Sequence, residues 1–129
     1  MTGNDLVADT NAYSDWQRGA RWLDEFAAAE RVWIPFVVVA ELLSGFAVGS
    51  RAKTNEAAFK KFLAADSVKV LFADAGTASV YADIYASLKK GGTPIPTNDI
   101  WIAALCVQLH LPLASADKHF DHVPLLKRA

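Results

Sequence analysis

Arg31-Val32-Trp33-Ile34-Pro35-Phe36-Val37-Val38-Val39-Ala40-Glu41-Leu42-Leu43-Ser44-Gly45-Phe46-Ala47-Val48-Gly49 is the stretch on which the fold turns. Residues 31–34 read as a strand. Pro35 suits a first helical position, where its fixed φ and missing N–H do no harm. Residues 36–48 continue as a nearly all-apolar helix that Gly49 ends. A strand running directly into an apolar helix is the unit of a covered parallel sheet, and the rest of the chain repeats it.

Upstream, Leu6-Val7-Ala8 is a short apolar run followed by Asp9-Thr10-Asn11, which reads as a buried strand and then a turn. Residues 19–30 set Trp22, Leu23, Phe26 and Ala27 at one-face helical spacing. Downstream, residues 51–65 are amphipathic, with Ala58, Phe59, Phe62 and Leu63 inward and Lys53, Lys60 and Lys61 outward. Residues 68–72 predict a third strand. Residues 75–90 predict a helix with Val80, Ile84 and Leu88 at four-residue intervals, stopped by Gly91-Gly92. A rigid connector at 93–96 leads to Thr97 as N-cap of a helix over 98–110. Residues 111–115 complete the strands, and a short, loose tail follows from Asp117. The expectation is a single α/β domain over residues 1–129, with its functional edge at the carboxyl ends of the strands.

Composition agrees with one ordinary domain of 129 residues. With 53% hydrophobic and 21% charged residues, disorder is excluded. The single cysteine, Cys106, rules out an internal disulfide and a cysteine zinc cluster and fits a reducing cytosol. Met1-Thr2-Gly3-Asn4-Asp5 carries an acid and no basic segment, unlike a signal peptide. The charge-free run over 100–116 is interrupted by Gln108, His110, Pro112 and Ser115 and reads as helix, turn and strand, not as a membrane span. A cytoplasmic protein without a membrane partner is therefore expected. Thirteen Lys and Arg against fourteen Asp and Glu give a net charge of −1, so bulk charge does not mark a nucleic-acid binder. The positions of the charges matter more.

Four acids sit where a merely solvating acid is out of place. Asp9 ends the first strand, and Glu41 lies inside the apolar helix. Asp99 opens a second apolar helix, Ile100-Trp101-Ile102-Ala103-Ala104-Leu105, and Asp117 follows the last strand. A carboxylate in such surroundings is costly unless paired, hydrogen-bonded or bound to a metal. Together at one sheet edge they repel one another, and a divalent cation resolves that repulsion. Oxygen ligands without cysteine favour a hard ion, Mg²⁺ or Mn²⁺. Ser44 and Gly45, three and four residues after Glu41, leave space beside that carboxylate. Thr10, Asn11, Asn98 and Ser115 neighbour the acids and are candidates to orient them. Capping roles compete with this reading for Asp9 and Asp99, but not for Glu41.

These residues resemble the PIN-domain family, and within it the VapC-type toxins of toxin–antitoxin pairs. The resemblance rests on Val7-Ala8-Asp9-Thr10-Asn11, Ala40-Glu41-Leu42-Leu43-Ser44-Gly45, Pro94-Ile95-Pro96-Thr97-Asn98-Asp99-Ile100-Trp101-Ile102-Ala103-Ala104 and Ser115-Ala116-Asp117-Lys118-His119-Phe120. It implies a three-layer α/β/α sandwich around a mostly parallel sheet of four to five strands. It also implies an endoribonuclease whose Mg²⁺ or Mn²⁺ is held by Asp9, Glu41, Asp99 and Asp117, with an antitoxin partner, an RNA substrate and commonly a homodimer. Ser115 stands where the family often has threonine, and Ala116 where a polar or basic residue is frequent.

Other features admit second readings. His119 and His122 with Asp117 and Asp121 have the composition of a His/Asp metal cluster; alternatively they are surface residues, with His119 as a phosphate contact. Arg18, Arg21, Arg51, Lys53, Lys60 and Lys61 are candidates for an RNA-phosphate groove, against the simpler reading of a solvated face. Trp16, in a polar stretch, is the tryptophan expected at an exposed stacking surface. A receiver-type phosphotransfer domain suits the length, but Asp9 is followed by Thr10-Asn11 and not by another acid. A non-catalytic binding module gives no reason for Glu41 in an apolar helix.

Overall fold

The computed structural model describes residues 4–129, so the reading of Met1-Thr2-Gly3 lies outside it. Four strands, β1 (Asp5–Ala8), β2 (Arg31–Pro35), β3 (Val68–Leu71) and β4 (Leu113–Ala114), form one sheet in the order β3-β2-β1-β4. Every pairing within it is parallel, with Val7 beside Trp33 on one side and beside Leu113 on the other. Helices flank the sheet in an α/β/α arrangement: α1 (Thr10–Gln17), α2 (Leu23–Ala28), α3 (Phe36–Val48), α4 (Ala52–Leu63), α5 (Ala75–Lys90) and α6 (Thr97–Leu109). Parallel strands buried on both faces read as continuous apolar runs, and Leu6, Val7, Ala8, Ile34 and Leu113 are all buried.

The central sheet order follows from the crossovers. The chain steps outward from β1 to β3 and then returns through α5 and α6 to lay β4 on the far side of β1. The strand order therefore reverses between β1 and β4, and a crevice opens beyond their carboxyl ends. Asp9 follows β1 there, and Ser115 and Asp117 follow β4. The topology has put two acids from opposite ends of the sequence side by side.

Several boundaries differ from the expectation. Thr10 and Asn11 are not turn residues; they open α1, which Asp9 caps by accepting the Ala12 N–H at 2.8 Å. Pro35 closes β2 and is the N-cap of α3, one position before the expected one. Thr97 is the first residue of α6 and Pro96 its N-cap. The last strand is confined to Leu113–Ala114. Helix α3 is not buried all round, since Leu43 and Val48 are exposed.

The tail is packed, not loose. It makes a 3-10 turn over Lys118–His122, with Phe120 and Val123 buried. Its last residues run alongside β4, Leu113 donating to the Lys127 carbonyl and accepting from the Ala129 N–H, both at 2.9 Å. Trp16 is likewise drawn in. It stacks on Phe26 at 5.2 Å and tilts against Phe62 at 4.9 Å, on the wall of a 670 Å³ apolar groove between α1, α2 and α4. Cys106 is core, its thiol pKa pushed up by burial. No helix among the described residues is long and apolar enough to cross a membrane.

Candidate metal centre

At the crevice between β1 and β4, a cavity of about 460 Å³ is lined by the four acids together: Asp9, Glu41, Asp99 and Asp117. They arrive from the N-cap of α1, the middle of α3, the first turn of α6 and the loop after β4. Thr10, Asn11, Asn98 and His119 share the lining. Ile102, one turn after Asp99 on α6, contributes an apolar wall. That residue was not singled out in the sequence, although its i+3 spacing from Asp99 carries the signal.

Local bonds fix the carboxylates. Thr10 donates its hydroxyl to Glu41 Oε1 at 2.9 Å, tying α1 to α3 across the cavity wall. Ser115 is buried, and its Oγ accepts the Asp117 N–H at 3.0 Å while its side chain also hydrogen-bonds Asp9. Asp117 Oδ1 in turn accepts the His119 N–H at 2.9 Å. His119 Nδ1 lies 3.0 Å from Asp99 Oδ2 and 3.3 Å from Asp117 Oδ1.

The electrostatics reflect crowding of like charges. Burial pushes the Asp9 pKa above the ordinary carboxylate value, Asp99 and Asp117 add to the shift, and hydrogen bonds from Ser115 and Ala12 oppose it. Burial likewise raises Asp99, with Asp117 and Glu41 adding repulsion and His119 opposing. Ligand atoms of Asp99, Asp117 and His119 all lie within 4.8 Å of one another. Four carboxylates lining one cavity, with the His119 imidazole beside two of them, fit a hard divalent cation, which neutralises their charge without demanding sulfur.

Other expected site residues fall elsewhere. Ser44 and Gly45 are exposed and neither lines the cavity, so a shared helix face with Glu41 does not bring them to it. The expected His/Asp cluster assembles only in part: Asp117 and His119 come together with Asp99, whereas Asp121 pairs with Arg128 at 2.9 Å and His122 is exposed. The basic residues are dispersed. Arg18 pairs with Asp15, Lys60 with Glu56, and Arg21 lies over the Trp22 ring, while Lys61 borders the apolar groove. Arg18 and Arg51 share a separate 290 Å³ cavity.

The PIN-domain family model matches residues 6–126 of this chain. The chain belongs to the PIN-domain family. Two relatives extend the likeness over most of this PIN domain. The ribonuclease VapC5 of Mycobacterium tuberculosis is 27% identical over 88% of this chain and 84% of its own length. The plasmid stability protein StbB of Pseudomonas syringae pv. tomato is 30% identical over 87% of both chains. Among solved structures, VapBC-5 from Mycobacterium tuberculosis, a member of the VapBC family of toxin–antitoxin systems, superposes with a TM-score of 0.76. It is 25% identical and covers 98% of this chain and 99% of that one.

Proposed function

We propose that this PIN domain is a Mg²⁺- or Mn²⁺-dependent endoribonuclease and the toxin of a toxin–antitoxin pair. The observation that carries the proposal is the convergence of Asp9, Glu41, Asp99 and Asp117 on one cavity at the sheet's switch point. Asp9, Glu41 and Asp99 would hold the cation, with Asp117 assisting. When bound, the cation supplies an activated water and neutralises charge on the phosphate under attack. Thr10 keeps the Glu41 carboxylate turned into the cavity through its 2.9 Å bond. Ser115 holds Asp9 and the Asp117 backbone in register, and His119 stands at the cavity mouth as a donor to a phosphate oxygen. Asn11 and Asn98 line the same cavity and would contact the sugar-phosphate.

No side-chain nucleophile is needed: water would attack phosphorus and the 3′-oxygen would leave, giving the 5′-phosphate and 3′-hydroxyl ends that the resemblance implies. With a net charge of −1 and dispersed cations, recognition by shape suits this surface, so a structured RNA such as a tRNA or rRNA loop is the proposed target. Its cleavage would stop translation. Such an activity endangers its own cell, and the kinship with VapBC proteins supports a cognate antitoxin that occludes the acidic cavity. Basic side chains of that partner would pair with the carboxylates. The reading includes a homodimer and a cytoplasmic location.

Incubation of the purified, antitoxin-free chain with total cellular RNA tests the proposal. Discrete fragments are expected with Mg²⁺ or Mn²⁺, none with a chelator, and none from Asp99→Asn. Full metal-dependent cleavage by Asp99→Asn would sink it.

A further inference from the structure

Arg128 reaches back from the end of the described chain to the loop that carries Asp117. Its Nη2 donates to the Ser115 carbonyl at 2.7 Å and to the Asp117 carbonyl at 3.2 Å, and its Nη1 to Asp121 Oδ1 at 2.9 Å. The guanidinium carbon lies 5.7 Å from the centre of the Phe120 ring, a buried anchor of the same turn. Backbone bonds from Lys127 and Ala129 to Leu113 hold Arg128 in place from both sides.

We infer that Arg128 is a positioning residue for the acidic site, clamping the turn after β4 so that Asp117 and His119 face Asp99. This rests on the metal-site reading above. The two carbonyls it binds belong to the residues where the sheet ladder has ended, so no strand fixes their peptide planes. Rotation of the Asp117 peptide would swing its carboxylate and, through it, the His119 N–H that it accepts. A planar fork can hold two carbonyls and a carboxylate together, which a lysine ammonium on a flexible stem does not reproduce. Arg128 touches Asp117 only at its backbone oxygen, so the carboxylate stays with His119 at the cavity.

Mn²⁺ titration calorimetry separates this role from simple loss of stability. Arg128→Ala is expected to bind Mn²⁺ about tenfold more weakly, the lower end of the range for residues that orient metal ligands. Arg128→Lys, which keeps the charge and much of the packing, is expected to recover only part of the affinity. Thr77→Val, which loosens a remote contact between α5 and α6, is expected to lower the melting temperature and leave Mn²⁺ affinity unchanged. In an Asp117→Asn background, Arg128→Ala is expected to cost nothing further, because the effect passes through Asp117. Wild-type affinity in both Arg128 variants overturns the inference, as does an undiminished Arg128→Ala loss in the Asp117→Asn background. Absence of Mn²⁺ binding by the unmodified chain overturns the metal reading itself, and the inference with it.

Discussion

Asp9 does two things with one carboxylate. It caps α1, and it is only 5% exposed, so burial pushes its pKa up, with Asp99 and Asp117 adding to the shift. Its pKa in the folded chain lies above the unfolded value, so around these values the folded chain binds more of this proton than the unfolded chain does. Between the ordinary value of 3.8 and the raised folded value, this group's contribution to stability falls as pH rises. Asp99 contributes with the same sign. Asp9→Asn keeps an oxygen for the cap and removes the buried charge. In a chelator at pH 7 its melting temperature is expected to rise on the order of 4 °C, equivalent to about 1 kcal/mol. Mn²⁺ binding is expected to disappear in the same variant. Scanning calorimetry checks the first and a Mn²⁺ titration the second; a lower melting temperature contradicts the account of crowded charge. In the unmodified chain, Mn²⁺ affinity is expected to weaken as pH falls, since protons compete for Asp9 and Asp99. At this scale the sequence was legible for the four acids, whose apolar neighbours made them conspicuous. It was silent on Arg128, because nothing local in Lys127-Arg128-Ala129 encodes a partner thirteen residues back.

Among the elements, α1 shows where reading by local chemistry fails. Asp9, Thr10, Asn11, Ser14 and Asp15 all favour turns in isolation, because their short side chains compete for the backbone. Tertiary packing of Ala12 and Tyr13, both buried, makes the segment helical instead. Their spacing to Trp16 carried the signal, and the polar residues obscured it. Helix α5 shows the reverse. Its limits agree with the sequence because Asp74 and Thr77 form a reciprocal cap at its start and Gly91 follows its end. The cap also joins α5 to α6. Thr77, fully buried, donates to Gln108 Oε1 at 2.5 Å, and Gln108 donates to Asp74 Oδ1 at 3.0 Å. Thr77→Val removes the hydroxyl and leaves that amide oxygen without its donor. A loss of about 1–3 kcal/mol is expected in urea unfolding, with cleavage unaffected; no loss contradicts the structural role given to this contact.

For the whole molecule, the alternation of strands and helices predicted a parallel sheet, and the sheet is parallel throughout its four strands. Strand order was not legible locally, since it depends on which crossover returns to which edge. That order brings Asp9 and Asp117 together on one cavity, a juxtaposition that neither residue's neighbours in sequence encode. A cation held by acids that only the folded chain brings together adds to global stability by linkage. At a concentration one hundred times its Kd, Mn²⁺ is expected to contribute about 2.7 kcal/mol, or roughly 10 °C in melting temperature for a chain of this size. An unchanged melting temperature contradicts specific binding to the folded state. The most direct test of the central claim is an anomalous difference map from a crystal of the chain soaked in Mn²⁺. The account predicts a peak in the cavity bounded by Asp9, Glu41, Asp99 and Asp117, absent from Asp99→Asn. Peaks confined to the molecular surface, with that cavity empty, would contradict it.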